Sequence, residues 1–97
     1  MNIVAITACP TGIAHTYMAA SQLEKTAKEL GHSIKVETQG ALGIENELTE
    51  EDIAAAEVAI MAVDIIIEKE ERFDNIRKIE VPVQDVLKNA KAIFEKI

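Results

Sequence analysis

Apolar residues fall into short runs that alternate with segments of helical periodicity. Residues 2–7 form an uninterrupted, partly β-branched run, which is typical of a strand buried on both faces. Residues 32–38 alternate between polar and apolar, which predicts a half-buried strand at the edge of a sheet. Two further runs, residues 57–63 and 78–81, predict a third strand and a weaker fourth one.

Three segments between or after these runs carry helical signals. Over residues 13–30 apolar side chains recur every three or four positions, and Gly31 follows where a left-handed cap is expected. Thr49 with Asp52 three residues later resembles a capping box and predicts a short helix. Pro82 suits the start of a last helix. The apolar stripe of that helix consists of Val83, Val86, Leu87, Ala90, Phe94 and Ile97.

Strands that alternate with helices predict βαβ units, in which strands are parallel and crossovers place helices on both faces of the sheet. The predicted fold is therefore α/β, a doubly wound, Rossmann-like three-layer sandwich with a small four-stranded parallel sheet. Ligands of such sheets bind outside the carboxyl ends of the strands, where the strand order reverses. The loop after the first strand usually occupies that crevice, and here it holds Cys9.

Composition and charge exclude several classes of protein. A length of 97 residues, 48% of them hydrophobic, predicts one globular domain. Seventeen acidic against ten basic side chains give a net charge of −7, which argues against nucleic-acid binding because phosphate backbones attract clustered cations. A single cysteine excludes an internal disulfide and a cysteine-rich zinc site, and it predicts a reducing cytoplasmic environment. No apolar run approaches the roughly 20 residues of a membrane span, and the N-terminus lacks a signal-peptide pattern.

Cys9 combines three features of a phosphoryl acceptor. It directly follows a buried strand and shortly precedes a helix, and Pro10, Thr11 and Gly12 between them favour a tight turn. Unpaired N–H groups at a helix start bind anions, and the positive end of the helix dipole favours a thiolate over a thiol. A thiolate that faces such N–H groups can accept and hold a phosphoryl group.

The spacing between Cys9 and His15 fits that of cysteine-dependent phosphatases, but the arginine of those enzymes is missing. Their pattern is Cys-x5-Arg-Ser/Thr, whereas here five residues separate Cys9 from His15, which Thr16 follows directly. No lysine or arginine occurs before Lys25. Without a fixed guanidinium to promote hydrolysis, a phosphocysteine favours transfer to another acceptor. The loop therefore predicts a phosphoryl carrier rather than a phosphatase.

Other interpretations stay open on the residues alone. One is a small phosphatase of the Cys-x5-Arg type, although an obvious general-acid loop is missing as well. Another is a flavodoxin-like binding module that holds an anion without a covalent bond. A thiol redox role lacks a second cysteine to resolve a disulfide. Taken singly, Cys9 could be a core residue and His15 a helix cap.

Three residues beyond the loop are candidates for the same crevice. Gln39 and Gly40 follow the alternating part of the second strand, and Asp64 ends the third strand. The acidic residues between positions 45 and 52 and the charged segment 68–74 are interpreted as solvated surface.

Residues 4–20 strongly resemble the fructose-class (type 2) IIB domain of the bacterial phosphoenolpyruvate-dependent sugar phosphotransferase system (PTS). The core of the resemblance is the run Cys9, Pro10, Thr11, Gly12, Ile13, Ala14, His15 and Thr16. Residues 36–44 are similar to a second signature of that family, and Arg72 with Phe73 to a weaker third. The resemblance spans nearly the whole chain and implies a single EIIB domain over residues 1–97.

The resemblance implies that a phosphohistidine on a IIA domain donates its phosphoryl group to Cys9. Phospho-Cys9 would pass it to fructose, or a related sugar, bound by the membrane IIC domain during uptake. The implied activity is that of a protein-Nπ-phosphohistidine–D-fructose phosphotransferase with a phosphocysteine intermediate. Backbone amides of the loop that runs from Pro10 to Thr16 would bind the phosphate, with no metal and no other cofactor. The chain would be cytoplasmic and would associate peripherally with IIC.

Overall fold

The computed structural model describes residues 1–9, 13–40 and 43–97. In chain order its elements are β1 (Asn2–Ala8), α1 (Ile13–Glu29), β2 (Ser33–Gly40), β3 (Gly43–Glu45), α2 (Glu50–Ala55), β4 (Val58–Val63), a 3₁₀ turn (Glu70–Phe73), β5 (Lys78–Val81) and α3 (Val83–Phe94). Within these ranges, every helix is too short or too polar to span a bilayer.

β1 is the middle strand of the sheet. Among the described residues five strands pair in the order β3-β2-β1-β4-β5. β1 pairs in parallel with β2 on one side, where Ile3 lies opposite Ile34, and with β4 on the other, where Ile3 lies opposite Val58. The chain leaves β1 toward β2 and later returns to the opposite side of β1 with β4. The strand order therefore reverses between β1 and β4, and a crevice is expected at their carboxyl ends.

The sheet differs from the predicted four-stranded parallel one by an additional edge strand. β3 is antiparallel to β2, with Gly40 opposite Gly43. The prediction of a loop is therefore wrong for Gln39, Gly40 and Gly43, which belong to strands, while residues 41 and 42 lie outside the described residues. β2 is consequently not the edge strand that its alternation predicted. The three residues of β3 are too few to show a periodic pattern in the sequence. β3 begins at Gly43 with a φ of +89°, a conformation that glycine adopts without the strain that a Cβ would cause. The Tyr17 hydroxyl donates to the Glu45 carboxylate and ties β3 to α1.

Helices cover both faces of the sheet, as the predicted three-layer sandwich requires. α1 and α3 pack on one face, and the core there includes Ala5, Ala19, Leu23, Val36, Ile60, Val86 and Phe94. α2 and the 3₁₀ turn lie on the other face, where the core includes Val4, Ile6, Leu48, Met61 and Phe73. Successive residues of β1 point to opposite faces, and both faces are covered, which explains why its sequence is apolar without alternation.

α1 ends as its sequence predicts. Gly31 has a φ of +79°. Its amide donates to the carbonyl oxygen of Lys28 at 3.2 Å, and the His32 amide donates to that of Ala27 at 2.8 Å. These two bonds form a Schellman cap, in which glycine is favoured because a Cβ is strained at positive φ.

The predicted capping box of α2 is also confirmed. The Asp52 amide donates to Thr49 Oγ1 at 3.1 Å, and the Thr49 amide donates to Asp52 Oδ2 at 2.9 Å. Lys35 Nζ of β2 lies 2.7 Å from the same carboxylate oxygen. Hydrogen bonds from Lys35 and from the Thr49 amide lower the pKa of Asp52 to about 2. This part of the acidic segment is therefore paired rather than only solvated.

α3 follows its predicted apolar stripe but is interrupted near its middle. Val83, Val86, Ala90 and Phe94 are buried against the sheet. Asn89 leaves helical geometry, with φ −161° and ψ 83°, and its Oδ1 accepts a bond from the Ala92 amide at 3.3 Å. The first part of α3, residues 83–88, is thus a short helical segment, joined to the end of β4 by the hydrogen bond from the Val83 amide to Asp64.

Candidate functional site

A cavity of about 520 Å³ opens at the carboxyl ends of β1 and β4, where the strand order reverses. The described residues that line it are Cys9, His15, Asp64, Val83, Gln84, Leu87 and Lys88. The structure therefore brings together three of the residues singled out in the sequence, from the end of β1, the first turn of α1 and the end of β4. The volume lies in the range of small-ligand sites.

Cys9 stands where β1 leaves the core. Ala8, the residue before it, is fully buried, and its carbonyl oxygen accepts a hydrogen bond from the Asp64 amide at 3.0 Å. Cys9 itself is partly exposed and packs against the core between the sheet and the helices α1 and α3. One side of this residue is thus fixed by the core, and the residue lines the cavity.

The start of α1 is held above the end of β1 by a buried hydrogen bond. Thr7 Oγ1 donates to the carbonyl oxygen of Thr16 at 3.0 Å. The Thr16 side chain is 1% exposed, and its hydroxyl has no hydrogen-bond partner within the described part of the chain. His15 is exposed and lines the cavity. The first turn of the helix is therefore positioned over the same space that Cys9 lines.

The phosphate loop predicted from the sequence is only partly covered by the structure. Pro10, Thr11 and Gly12 lie outside the described residues, so their phosphate contacts stay a prediction. Ile13 and Ala14 form the start of α1. Backbone N–H groups in the first turn of a helix have no partner within the helix, which is the property that the predicted anion site needs.

Asp64 connects three elements at the cavity. Its amide donates to the Ala8 carbonyl at 3.0 Å, which joins the ends of β4 and β1. Its Oδ1 accepts a bond from the Val83 amide at 3.2 Å. Pro82, the N-cap residue of α3, makes no side-chain cap bond, so the Asp64 carboxylate satisfies a first-turn amide in its place. Asp64 therefore positions α3 as well as lining the cavity.

The structure places the other two candidate crevice residues differently. Gln39 is buried on the opposite face of the sheet, because side chains alternate along β2, and it bonds Glu37 there. Gly40 ends β2 and is exposed. Continuing the parallel register beyond Thr7 and Thr38 brings Gly40 beside Cys9, but neither Gly40 nor Gln39 is among the described residues that line the cavity.

The sequence interpretation missed a buried ion pair on that opposite face. The Glu37 side chain is completely buried, although the alternation of β2 predicted a half-buried strand with a polar face. Arg72 Nη1 donates to Glu37 Oε1 at 2.8 Å and Nη2 donates to Oε2 at 2.9 Å. Gln39 Nε2 donates to Glu37 Oε2 at 2.7 Å, and the Leu48 amide donates to Oε1 at 2.8 Å. A buried charge with this many donors is satisfied.

Arg72 and Gln39 also bind backbone groups and so hold two loops against the sheet. Arg72 donates to the carbonyl oxygens of Leu48 at 2.9 Å and Lys69 at 2.8 Å. Gln39 exchanges two bonds with the backbone of Glu68, at 2.8 and 3.0 Å. Part of the segment 68–74 is therefore anchored rather than a free solvated turn, with Phe73 fully buried beside it.

Burial and hydrogen bonding act in opposite directions on Glu37. Burial acts to raise the pKa of Glu37, but the hydrogen bonds from Arg72, Gln39 and the Leu48 amide outweigh it and hold the pKa below its usual value of 4.5. The hydrogen bond to Glu37 raises the pKa of Arg72. The pair is thus charged at neutral pH. Glu37 and Gln39 lie in the second family signature and Arg72 lies in the third. The presence of these residues in two signatures is the sequence signal that could have indicated their contact.

The comparisons with known proteins assign the family. The sequence model of the family described as "PTS system, Lactose/Cellobiose specific IIB subunit" matches residues 4–96. The chain belongs to the PTS IIB family. The fructose-like EIIB component 2 of Escherichia coli K12 is 54% identical to this IIB subunit over 96 residues, which cover 99% of this chain and 91% of that protein.

Solved structures of similar IIB proteins share its fold. A crystal structure of a domain from the fructose-specific IIABC component of Borrelia burgdorferi is 51% identical with a TM-score of 0.92, and the match covers 97% of this chain and 89% of that one. The predicted fructose-specific IIB of Escherichia coli is 41% identical with a TM-score of 0.93, covering 98% of this chain and 84% of that one. The three-layer α/β architecture is therefore that of PTS IIB domains.

Replacing Arg72 with Met should destabilise the IIB subunit strongly, because it leaves the Glu37 carboxylate buried without its counter-ion. We expect a loss of about 3 kcal/mol in the free energy of unfolding at pH 7, measured by urea denaturation. In the native protein the folded-state pKa of Glu37 lies below 4.5, so the stability it contributes is full above pH 4.5 and falls as the pH drops through the folded pKa.

In the Arg72→Met variant, burial still raises the pKa of Glu37, but the hydrogen bonds from Arg72 that lower it are gone. We therefore expect the folded-state pKa of Glu37 to rise above 4.5, so that the free energy of unfolding falls as the pH rises. The difference in the free energy of unfolding between the wild type and Arg72→Met should therefore be largest at neutral pH and should decrease toward pH 4. Lys69→Met is the matched control, since it breaks an exposed ion pair with Glu47 and should cost less than about 1 kcal/mol. Equal losses in both variants, at all pH values, would contradict the role of the buried pair.

Proposed function

We propose that this PTS IIB subunit carries a phosphoryl group on Cys9, which it accepts from a phosphohistidine of a IIA domain and passes to a sugar bound by the membrane component IIC. The observation that supports this most is the position of Cys9. It follows the central buried strand, at the point where the strand order reverses, and it lines a cavity with the first turn of α1. The two transfers need one nucleophile that both partners can reach.

Each transfer exchanges one bond to phosphorus for another. In the first, the Cys9 thiolate attacks phosphorus, the S–P bond forms, the P–N bond to the imidazole of IIA breaks, and the imidazole takes up a proton. In the second, a sugar hydroxyl oxygen attacks phosphorus, the S–P bond breaks and the thiolate is restored, while the hydroxyl proton passes to a base at the acceptor site. First-turn amides of α1 are suited to hold the phosphoryl oxygens in both steps.

The described lining of the cavity favours transfer over hydrolysis. By its spacing from Cys9, His15 corresponds to the arginine of a phosphatase of the Cys-x5-Arg type, and His15 lines the cavity. An imidazole cannot offer the phosphoryl oxygens the planar, bidentate pair of donors of a guanidinium, so it stabilises attack by water less. A binding module without covalent chemistry would not need a nucleophile at this position, and a redox role would need a second thiol.

The sugar that we propose is fructose or a related sugar. The relative at 54% identity is called fructose-like and the Borrelia domain comes from a fructose-specific component, although the matching family model is named for lactose and cellobiose. We further propose that residues 1–97 act as one IIB domain in the cytoplasm and associate peripherally with IIC, because the site must meet a sugar held in the membrane. In the Borrelia protein the corresponding domain is part of a IIABC component.

Cys9→Ser tests the proposal in a reconstituted system with phosphorylated IIA and membranes that contain IIC. We expect loss of sugar phosphorylation with an unchanged urea unfolding curve, because a serine hydroxyl of the same shape is a poor nucleophile without a base. Ser21→Ala, on the exposed side of α1, is the control and should phosphorylate sugar at the wild-type rate. Sugar phosphorylation by the Cys9→Ser protein at the control rate would disprove the assignment.

His15→Arg should shorten the lifetime of phospho-Cys9 when no sugar acceptor is present. A permanent guanidinium would bind the phosphoryl oxygens and stabilise attack by water. Loss of the phosphoryl group can be followed by intact-protein mass spectrometry, with Gln22→Arg as a control that adds the same charge to an exposed position further along α1. An unchanged or longer lifetime in the His15→Arg protein would show that His15 does not occupy the arginine position.

A further inference from the structure

Lys88 adds a lysine side chain to the lining of the Cys9 cavity, whereas the N-terminal part of the sequence has no lysine or arginine before Lys25. Among the described residues that line the cavity, the charged or titratable groups are Cys9, His15, Asp64 and Lys88, and Lys88 is the one lysine or arginine among them. It comes from α3, far along the chain from the Cys9 loop. Sequence reasoning around Cys9 found no lysine or arginine before Lys25, so this cation becomes visible only in three dimensions.

Packing of α3 fixes the place from which Lys88 acts. Val83, Gln84, Leu87 and Lys88 recur at the spacing of one helix face, and all four line the cavity. Val83 is buried and Leu87 packs partly against the core, so this face cannot rotate away. The lysine stem is flexible, which lets its ammonium group follow an anion within the cavity.

The charge of Lys88 is not used elsewhere in the described structure. Across residues 1–9, 13–40 and 43–97, no carboxylate lies within salt-bridge distance of its ammonium group and no hydrogen bond from it is found. Asp64, the carboxylate of the same cavity, instead accepts the Val83 amide. The Asp64 carboxylate is thus bound by the start of α3, and the Lys88 ammonium group is available to a ligand.

The charge of the whole protein makes this cation significant. With a net charge of −7, the protein repels an approaching phosphoryl group at long range. A cation at the wall of the cavity offsets that repulsion locally, and the effect falls off within a Debye length of about 10 Å at 0.1 M salt. As a mobile point charge, an ammonium group attracts an anion without the planar, bidentate grip of a guanidinium.

We propose that Lys88 attracts anions to the Cys9 cavity, in addition to the amides at the start of α1, and so draws a phosphoryl group toward the thiol and offsets its charge there. The inference rests on the proposed function for its biological meaning, since the anion would be the phosphoryl group of phosphorylated IIA and then of phospho-Cys9. The attraction itself follows from the position of Lys88 and acts on any anion that enters the cavity.

Competition between a charged and a neutral alkylating agent tests the attraction without any partner protein. In both reactions the Cys9 thiolate displaces iodide, so the C–S bond forms and the C–I bond breaks. Iodoacetate is an anion and iodoacetamide is neutral, so the ratio of their rates cancels any change in the amount of thiolate. Lys88→Gln should lower the iodoacetate-to-iodoacetamide rate ratio about 2- to 5-fold in low salt, and the difference should shrink in 1 M salt.

Two variants serve as controls in this experiment. Lys88→Arg keeps the charge and should keep the ratio close to that of the wild type. Lys91→Gln removes the same charge from an exposed position of α3 that is not among the lining residues, and it should change the ratio much less than Lys88→Gln. Equal ratios in Lys88→Gln and Lys91→Gln would overturn the inference. Failure of both reagents to reach Cys9 would overturn it too, because an anion could not enter the cavity.

Transfer kinetics connect the residue to the proposed function. With phosphorylated IIA as donor, Lys88→Gln should lower the second-order rate of Cys9 phosphorylation about 3- to 10-fold at low salt. A wild-type protein that takes up no phosphoryl group would refute the proposed function, and the alkylation ratio would still decide the role of Lys88. A wild-type protein that is phosphorylated at the same rate as Lys88→Gln would refute the role of Lys88 alone.

Discussion

The pairing of β1 with a parallel strand on each side is the constraint on which the candidate site depends. Both faces of β1 are buried, and its register with β2 and β4 fixes where it ends. Its last residues therefore deliver Cys9 to the crevice between β1 and β4, where parallel sheets bind ligands. Three further hydrogen bonds hold the surrounding parts in place. Thr7 holds the start of α1, and Asp64 makes two bonds that join the ends of both strands to the start of α3.

The opposite face of the sheet carries a second polar system with a structural role. There the Glu37–Arg72 pair and Gln39 hold two loops against β2, away from the cavity. An ion pair this deeply buried is costly to break, since either partner alone leaves an uncompensated charge. The two faces thus have different roles. One anchors long connections, and the other leaves Cys9, His15 and Lys88 around a cavity of about 520 Å³.

Local patterns predicted most of the elements, whereas contacts between distant segments could not be read from them. Three signals depend only on neighbouring residues, and all three are confirmed. They are the helical periodicity of α1, the glycine cap at Gly31 and the capping box at Thr49. The sequence did not predict β3, because a strand of three residues shows no periodic pattern. Glu37 looked like part of a polar face because its partner Arg72 lies 35 residues away. Lys88 could not be connected with Cys9 for the same reason, because only the packing of α3 beside β4 brings it to the cavity that Cys9 lines.

The most direct test of the central claim is where a phosphoryl group resides after the wild-type protein meets phosphorylated IIA. The measurement is intact-protein mass spectrometry followed by mapping of the modified peptide at neutral pH. We expect one phosphoryl group per chain, on the sulfur of Cys9, which is released when the sugar-loaded IIC component is added. A protein that gains no phosphoryl group, or that carries it on His15 or His32, would contradict the assignment of Cys9 as the carrier.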